Sequence, residues 1–376
     1  MIKSLKGLAL LVLSVLCHIL LVNSQTQNSV IKIPPFDVSQ KDILPFLSVQ
    51  GDITFQVPAV YVFGDSLLDN GRCVSLPYGV DFGGKPSGRI TNGRNLADFI
   101  AQMLGLPFPN SFYNASGSSN TITGIDYAFS GCGIRNDTGL YPFGLECTPL
   151  AGQITNFESS ISSLSSHFQS KDALDKHISS SLFLIVTGFN DISLTYGWDP
   201  SKFNNDIESF VSELANLFYQ QAERLYKLGA RKFLVGNANP GGCIPSRRME
   251  SPSCNETMTG WTDAFNKKLA ETLTKLEAAN AGSKFVYMDM GKVLHDVITN
   301  PGPYGIIDVS HACCATDPAS PKPGCLESKP DSCPNGNQFV FFDRIHPTEV
   351  MHFLTLKRCI EDSTICSTTL VQLLQA

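Results

Sequence analysis

The chain has 376 residues, 43% of them hydrophobic and 16% charged, with a formal net charge of −6. That composition belongs to a globular chain with an ample core and excludes a disordered polymer. The mildly acidic balance, with no basic run, excludes the electrostatic footprint of a nucleic-acid-binding protein.

Residues 1–24 read as a secretory signal: Lys3 and Lys6 supply the positive start, Leu8 to Val22 is apolar apart from Ser14, Cys17 and His18, and small residues up to Ser24 precede a cut near Gln25. The run is shorter than the ~20 residues a spanning helix needs, and no later stretch is long and apolar enough. A secreted, extracellular or cell-wall protein without a transmembrane segment is expected. Residues 25–57 are polar and contain proline, which predicts an N-terminal extension ahead of a single domain over 58–376.

Val60 to Phe63 is an apolar run of buried-strand type that stops at Gly64, a residue free to adopt backbone angles others avoid. Ser66 follows at the strand's exit, where open α/β sheets bind their ligands. A Gly-rich loop from Tyr78 to Gly93 leads to Asn95, which caps a helix running to about Gly105. A short strand is predicted over Ile125 to Phe129, then an amphipathic helix marked by Ile154, Phe157, Ile161, Leu164 and Phe168. Leu182 to Val186 is an unbroken apolar strand, buried on both faces. A long helix follows from about Asp206 to a stop at Gly229, then a strand from Lys232 to Val235, a helix over 261–279, a strand from Lys284 to Met288 and a short helix from Val293 to Ile298. Residues 308–336 form a long insertion rich in cysteine and proline, of the kind that is functional or pinned by disulfides. Gln338 to Phe342 is strand-like, and Pro347 is expected in the first turn of a last helix. This alternation of strand and helix predicts a parallel sheet with helices on both faces.

Twelve cysteines in an exported chain should mostly pair. Losing Cys17 leaves an odd number, so at least one is free or intermolecular, and spacing does not give the connectivity. The paired C-x-x-C spacing of structural zinc is absent, so disulfides rather than a metal are expected. Asn114, Asn136 and Asn255 each open an N-x-[ST] sequon in a polar stretch and are glycosylation candidates.

Asp343 and His346 lie three residues apart after the last strand, close enough for both side chains to share one side of a turn. A carboxylate so placed fixes the imidazole tautomer and stabilises the imidazolium. His346 is therefore the candidate base for Ser66, a poor nucleophile by itself. The remaining histidines, His18, His167, His177, His295, His311 and His352, are read as signal, surface or core residues. An oxyanion formed at the serine needs donors aimed in advance. The candidates are the Ser66 N–H, the N–H of Gly131 in the turn after Phe129, and the Asn190 side chain.

With these residues in hand the chain resembles the plant GDSL esterases/lipases of the SGNH hydrolase superfamily. Phe63-Gly64-Asp65-Ser66-Leu67, Gly188-Phe189-Asn190-Asp191 and Asp343-Arg344-Ile345-His346-Pro347 look like that family's signature blocks. Pro77-Tyr78-Gly79, Ser87 to Arg94, Leu225 to Lys232 and Ala312-Cys313-Cys314 are also similar, so the likeness spans about residues 58–360. It implies a flavodoxin-like three-layer α/β/α sandwich around a parallel five-stranded sheet, and a serine esterase acting on small-molecule or lipid esters without metal or cofactor. It implies Ser66 as nucleophile, His346 as base, Asp343 as its orienting acid, and Gly131 and Asn190 as oxyanion donors. The chain departs from the family at Arg72-Cys73, at Phe129 and at Asn239-Pro240-Gly241-Gly242, which bears on substrate preference. An acyltransferase using the same triad and a non-catalytic extracellular glycoprotein with a vestigial site are the competing readings. The oligomeric state is left open.

Overall fold

Successive residues of a strand point to opposite faces of its sheet, and both faces are apolar in the central strands here. The computed structural model describes residues 56–376 apart from 73, 115–120, 141–143, 145, 249–252 and 318–323. In β1 (Val60–Gly64), Val60 and Val62 join Leu182, Leu184 and Val186 of β4 (Leu182–Val186) in one core cluster. Tyr61 and Phe63 join Phe183 and Ile185 in a second cluster on the other face. A sheet buried on both sides needs two helical layers, and the chain supplies them. One layer comprises α1 (Leu96–Met103), α7 (Met290–Thr299), α8 (Glu349–Glu361) and α9 (Leu370–Gln375). The other comprises α2 (Leu150–Ser165), α3 (Lys171–Ser180), α4 (Ile207–Lys227) and α6 (Glu256–Ala279). A four-residue α5 (Pro245–Arg248) lies between α4 and α6.

The remaining strands of the sheet are β2 (Asn110–Ser111), β3 (Ile125–Asp126), β5 (Lys232–Gly236) and β6 (Lys284–Met288). All pairings are parallel, in the order β2-β3-β1-β4-β5-β6. Leaving out β2, the order is the doubly wound 2-1-3-4-5 type, which places a ligand crevice beside the first strand. The expected five strands are therefore six. The extra one is a two-residue edge strand, too short to carry a period-2 signal in sequence. A separate parallel pair joins β7 (Asp308–Ala312), within the Cys-rich insertion, to β8 (Phe339–Phe341).

Several element ends differ from expectation for local reasons. Helix α6 begins at Glu256 rather than 261 because the Asn255 side chain accepts from the Met258 N–H and caps it. Pro347 is outside α8, which starts after Thr348 at the N-cap. The strand at Ile125 ends after two residues, and β7, α3 and α9 were not foreseen.

All the cysteines among the described residues are paired: Cys132–Cys147, Cys243–Cys254, Cys313–Cys333, Cys314–Cys325 and Cys359–Cys366. The unpaired cysteine expected from the count is not among them; Cys73 lies outside the described residues, as do the signal with Cys17 and residues 25–55 of the extension. Asn136 and Asn255 are exposed and Asn114 is half-buried. Among the described residues no helix is long and apolar enough to cross a membrane.

Candidate active site

β1 ends where it does because its last residue has no side chain. Gly64 has φ +147°, and a Cβ there would sit 2.0 Å from the Val186 carbonyl oxygen of β4. The buried Gln153 amide then closes the strand end, accepting from the Gly64 N–H and donating to the Gly64 carbonyl, each at 2.8 Å. The next residues turn back: the Leu68 and Asp69 N–H groups both donate to the Asp65 carbonyl. Ser66 sits at the head of that turn, partly exposed.

The exits of the two flanking strands are held against it. At the end of β3, Phe129 N–H donates to the Gly64 carbonyl at 3.0 Å, and the Asp69 carboxylate takes both the backbone N–H and the hydroxyl of Ser130. Gly131 follows with φ +81°. At the end of β4, the Asn190 Nδ2 donates to the carbonyl of Cys132 at 2.8 Å, which places Asn190 beside the Gly131 turn. Asp191 pins the same turn further along, accepting from the N–H groups of Ile134 and Arg135 at 2.9 Å and from the Thr138 hydroxyl. Gly133 lies against the same carboxylate, where a Cβ would strike Asp191 at 2.2 Å.

β8 supplies the remaining groups. Asp343 Oδ1 accepts from the Ile345 N–H (2.7 Å) and the His346 N–H (2.6 Å), an Asx-type turn that folds the short stretch onto one side. Oδ2 then meets His346 Nδ1 at 2.7 Å, and His346 Nε2 meets Ser66 Oγ at 2.8 Å across a separation of 280 residues. With the Nδ1 proton given to the carboxylate, Nε2 is left to accept from the hydroxyl. Asp343 is fully buried while the ring is 12% exposed, so the acid is shielded and the imidazole opens toward solvent on the serine side. Burial alone would raise the Asp343 carboxyl, but the facing His346 ring and the donors from residues 345 and 346 outweigh it and hold it below the ordinary carboxylate range.

Sequence reasoning assigned no role to four other buried acidic groups around this loop. Burial pushes Asp65 up to about 7, and it raises Asp69, Asp126 and Asp191 as well. Each accepts backbone donors: Asp65 from Leu67, Asp69 from Gly71 and Ser130, and Asp126 from Asn70 and Ala128. They act as turn-formers for the strand exits. Tyr78 was also missed as a contact: its hydroxyl donates to Asp343 Oδ2 at 2.7 Å. No local pattern links positions 265 residues apart.

Among the described residues, the other histidines do not converge on Ser66. His311 meets Asp308, three residues earlier, at 2.9 Å, but that pair is on the exposed side of β7, and the neighbouring Ser310 hydroxyl contacts the same Nδ1 rather than the far nitrogen. His177 contacts Tyr61, His295 is exposed, and His352 is buried with its pKa lowered to about 4 by desolvation.

The strand exits of this parallel α/β sheet gather a hydroxyl, an imidazole and a carboxylate in hydrogen-bonded series, and the family and relatives that follow make the chain a carboxylic ester hydrolase. The chain belongs to the GDSL-like Lipase/Acylhydrolase family, which matches residues 60–358. Among its relatives, the Arabidopsis thaliana protein GDSL esterase/lipase At1g71691 is 33% identical over 80% of this chain and 81% of its own length. GDSL esterase/lipase 7 of the same plant is 34% identical over 78% of this chain and 84% of its own. Among solved structures, the α/β hydrolase LAE5 from the Lake Arreo metagenome aligns with a TM-score of 0.37 at 11% identity, covering 81% of this chain and 95% of its own.

Proposed function

We propose that this carboxylic ester hydrolase is a secreted serine esterase/lipase that works through an acyl-enzyme on Ser66. The single observation carrying the proposal is the continuous contact from Ser66 Oγ through His346 to Asp343, at 2.8 and 2.7 Å. Ser66 Oγ attacks the ester carbonyl carbon as its proton passes to His346 Nε2, and Asp343 stabilises the resulting imidazolium. The carbonyl oxygen becomes an oxyanion. Its donors are the N–H groups of Ser66 and Gly131 and the second Nδ2 hydrogen of Asn190, the first being used on Cys132. Neither of those two backbone N–H groups donates elsewhere among the described residues. Collapse of the adduct breaks the bond to the alcohol oxygen, which leaves with the proton from His346. Water, deprotonated by the same imidazole, then releases the acid and restores Ser66.

Secretion is supported by the leader-like residues 1–24 and by the five disulfides, which persist in oxidising compartments. On this reading a signal of 1–24 and an extension of 25–57 precede one hydrolase domain over 58–376, glycosylated at Asn114, Asn136 and Asn255.

The test is Ser66→Ala. Hydrolysis of short p-nitrophenyl esters and labelling by a fluorophosphonate should both disappear while secretion and Tm persist. Undiminished turnover in that variant removes Ser66 from the mechanism. Product analysis with an added polyol checks that water is the acceptor, because acyl-polyol as the main product would make the protein a transferase.

A further inference from the structure

The acid of the triad is held from two sides. Asp343 Oδ2 receives not only His346 Nδ1 but also the Tyr78 hydroxyl, both at 2.7 Å. Tyr78 is buried, and its ring packs edge-on against Phe342, the residue before Asp343, with centroids 5.3 Å apart and planes at 75°. The phenol is itself held. The Cys325 N–H donates to Tyr78 Oη at 3.1 Å, and at Gly324 a Cβ would come within 3.0 Å of that oxygen, so the insertion's backbone closes directly over it. Cys325 is fixed by its disulfide to Cys314, whose own N–H donates to the Phe342 carbonyl at 2.9 Å. Burial and the facing carboxylate push the phenol far above its ordinary pKa, so it keeps its proton and remains a donor.

Two donor series therefore converge on Asp343 Oδ2: Cys325 N–H to Tyr78 Oη and Tyr78 O–H to the carboxylate from one side, and Ser66 O–H to His346 Nε2 and His346 Nδ1–H to the same oxygen from the other. Within the first series, the bond that Tyr78 Oη accepts polarises the O–H it donates in a water-poor interior. A carboxylate with one oxygen committed to backbone N–H groups and the other to two side chains has no freedom to rotate away from the imidazole. We propose that Tyr78 is a positioning residue of the ester-hydrolysis reaction, acting through Asp343, and that the Cys-rich insertion is the clamp that aims it.

This inference rests on the assignment of Ser66, His346 and Asp343 as the reacting groups. The experiment compares Tyr78→Phe, Tyr78→Leu, Asp343→Ala, the Tyr78→Phe/Asp343→Ala double variant and Ser66→Ala on one short p-nitrophenyl ester, with Tm for each. Tyr78→Phe keeps the ring and removes only the donor. Its kcat should fall about tenfold, the size expected for one hydrogen bond to a charged group, with KM unchanged, because nothing that touches substrate is altered. In the Asp343→Ala background the same change should cost nothing further, because the group it acts through is gone. A Tyr78→Phe variant within twofold of wild type overturns the proposal. So does an undiminished additive loss in the double variant, or a loss confined to Tyr78→Leu, which would make the ring a packing element only. An insoluble Tyr78→Phe also overturns it, since the hydroxyl would then serve folding. Ser66→Ala keeps the two assignments separate. If it stays active, the triad reading fails; if it is dead while Tyr78→Phe is fully active, only the Tyr78 role fails.

Discussion

Replacing Asp343 by asparagine isolates what the carboxylate does for the imidazole. Asp343 currently accepts four hydrogen bonds: residues 345 and 346 use Oδ1, and His346 Nδ1 and Tyr78 use Oδ2. Asparagine can keep the two backbone donors only by placing its carbonyl on the Oδ1 side. Its NH2 group then faces His346 Nδ1 and Tyr78. Tyr78 can adapt, because a hydroxyl rotates and accepts. The imidazole cannot remain as it is: Nδ1 must become the acceptor, so its proton moves to Nε2. That nitrogen, 2.8 Å from Ser66 Oγ, is then a donor and cannot take the serine's proton. A wrong tautomer of this kind lowers kcat by about 10⁴ in a serine triad, which is about 5 kcal/mol of transition-state stabilisation. The stability cost should be far smaller, about 1–3 kcal/mol, because the packing and the backbone bonds survive. Initial rates on a p-nitrophenyl ester, a fluorophosphonate labelling time course and a thermal melt on the same sample give all three quantities. An Asp343→Asn variant that retains kcat within tenfold of wild type would refute the reasoning, since the imidazole would then be oriented by something else.

Other outcomes follow from the same geometry. With Asn190 as a proposed oxyanion donor, Asn190→Ala should lower kcat by about 10²–10³ with KM little changed, because such a donor acts only when charge builds on the carbonyl oxygen; steady-state kinetics on the same ester decide it. Gly64→Ala should not yield folded protein, since the new methyl would lie 2.0 Å from a backbone oxygen in a φ +147° conformation; circular dichroism of the secreted fraction is the check. His352 ionises at about 4 in the fold against 6.5 in the unfolded chain, so between those values the unfolded state binds more protons and stability falls as pH falls. Relative to pH 7, that difference removes about 2 kcal/mol at pH 5. His352→Phe should therefore flatten the pH 5–7 dependence of Tm, and an unchanged slope would count against the histidine as its source.

Much of this architecture can be read in advance from local chemistry. The central strands announce themselves as apolar runs because both faces are buried, and Gly64, Gly131 and Gly188 mark the strand exits because each has positive φ there. Ser66, Asn190, Asp343 and His346 were legible for the same reason: each belongs to a short polar block directly after such a run. What stayed hidden depends on partners far away in the chain. Strand β2 has two residues and no periodicity. Helix α3 is mostly polar, with only Leu174, His177 and Ile178 buried. Strand β7 is half-exposed and forms by pairing with β8 across the insertion. The pairing of Cys314 with Cys325, rather than with a nearer or farther cysteine, is set by how that insertion folds over Tyr78.

The 280 residues between Ser66 and His346 have a consequence for when the protein acquires its chemistry. A chain emerging amino end first displays its serine early, when the imidazole that must remove its proton has not yet been translated. Until 346 of the 376 residues have been delivered and the end of the chain has folded back, the proposed nucleophile is no more reactive than any other alcohol. On the proposed reading, a message cut short before His346 makes a silent product rather than an unregulated one.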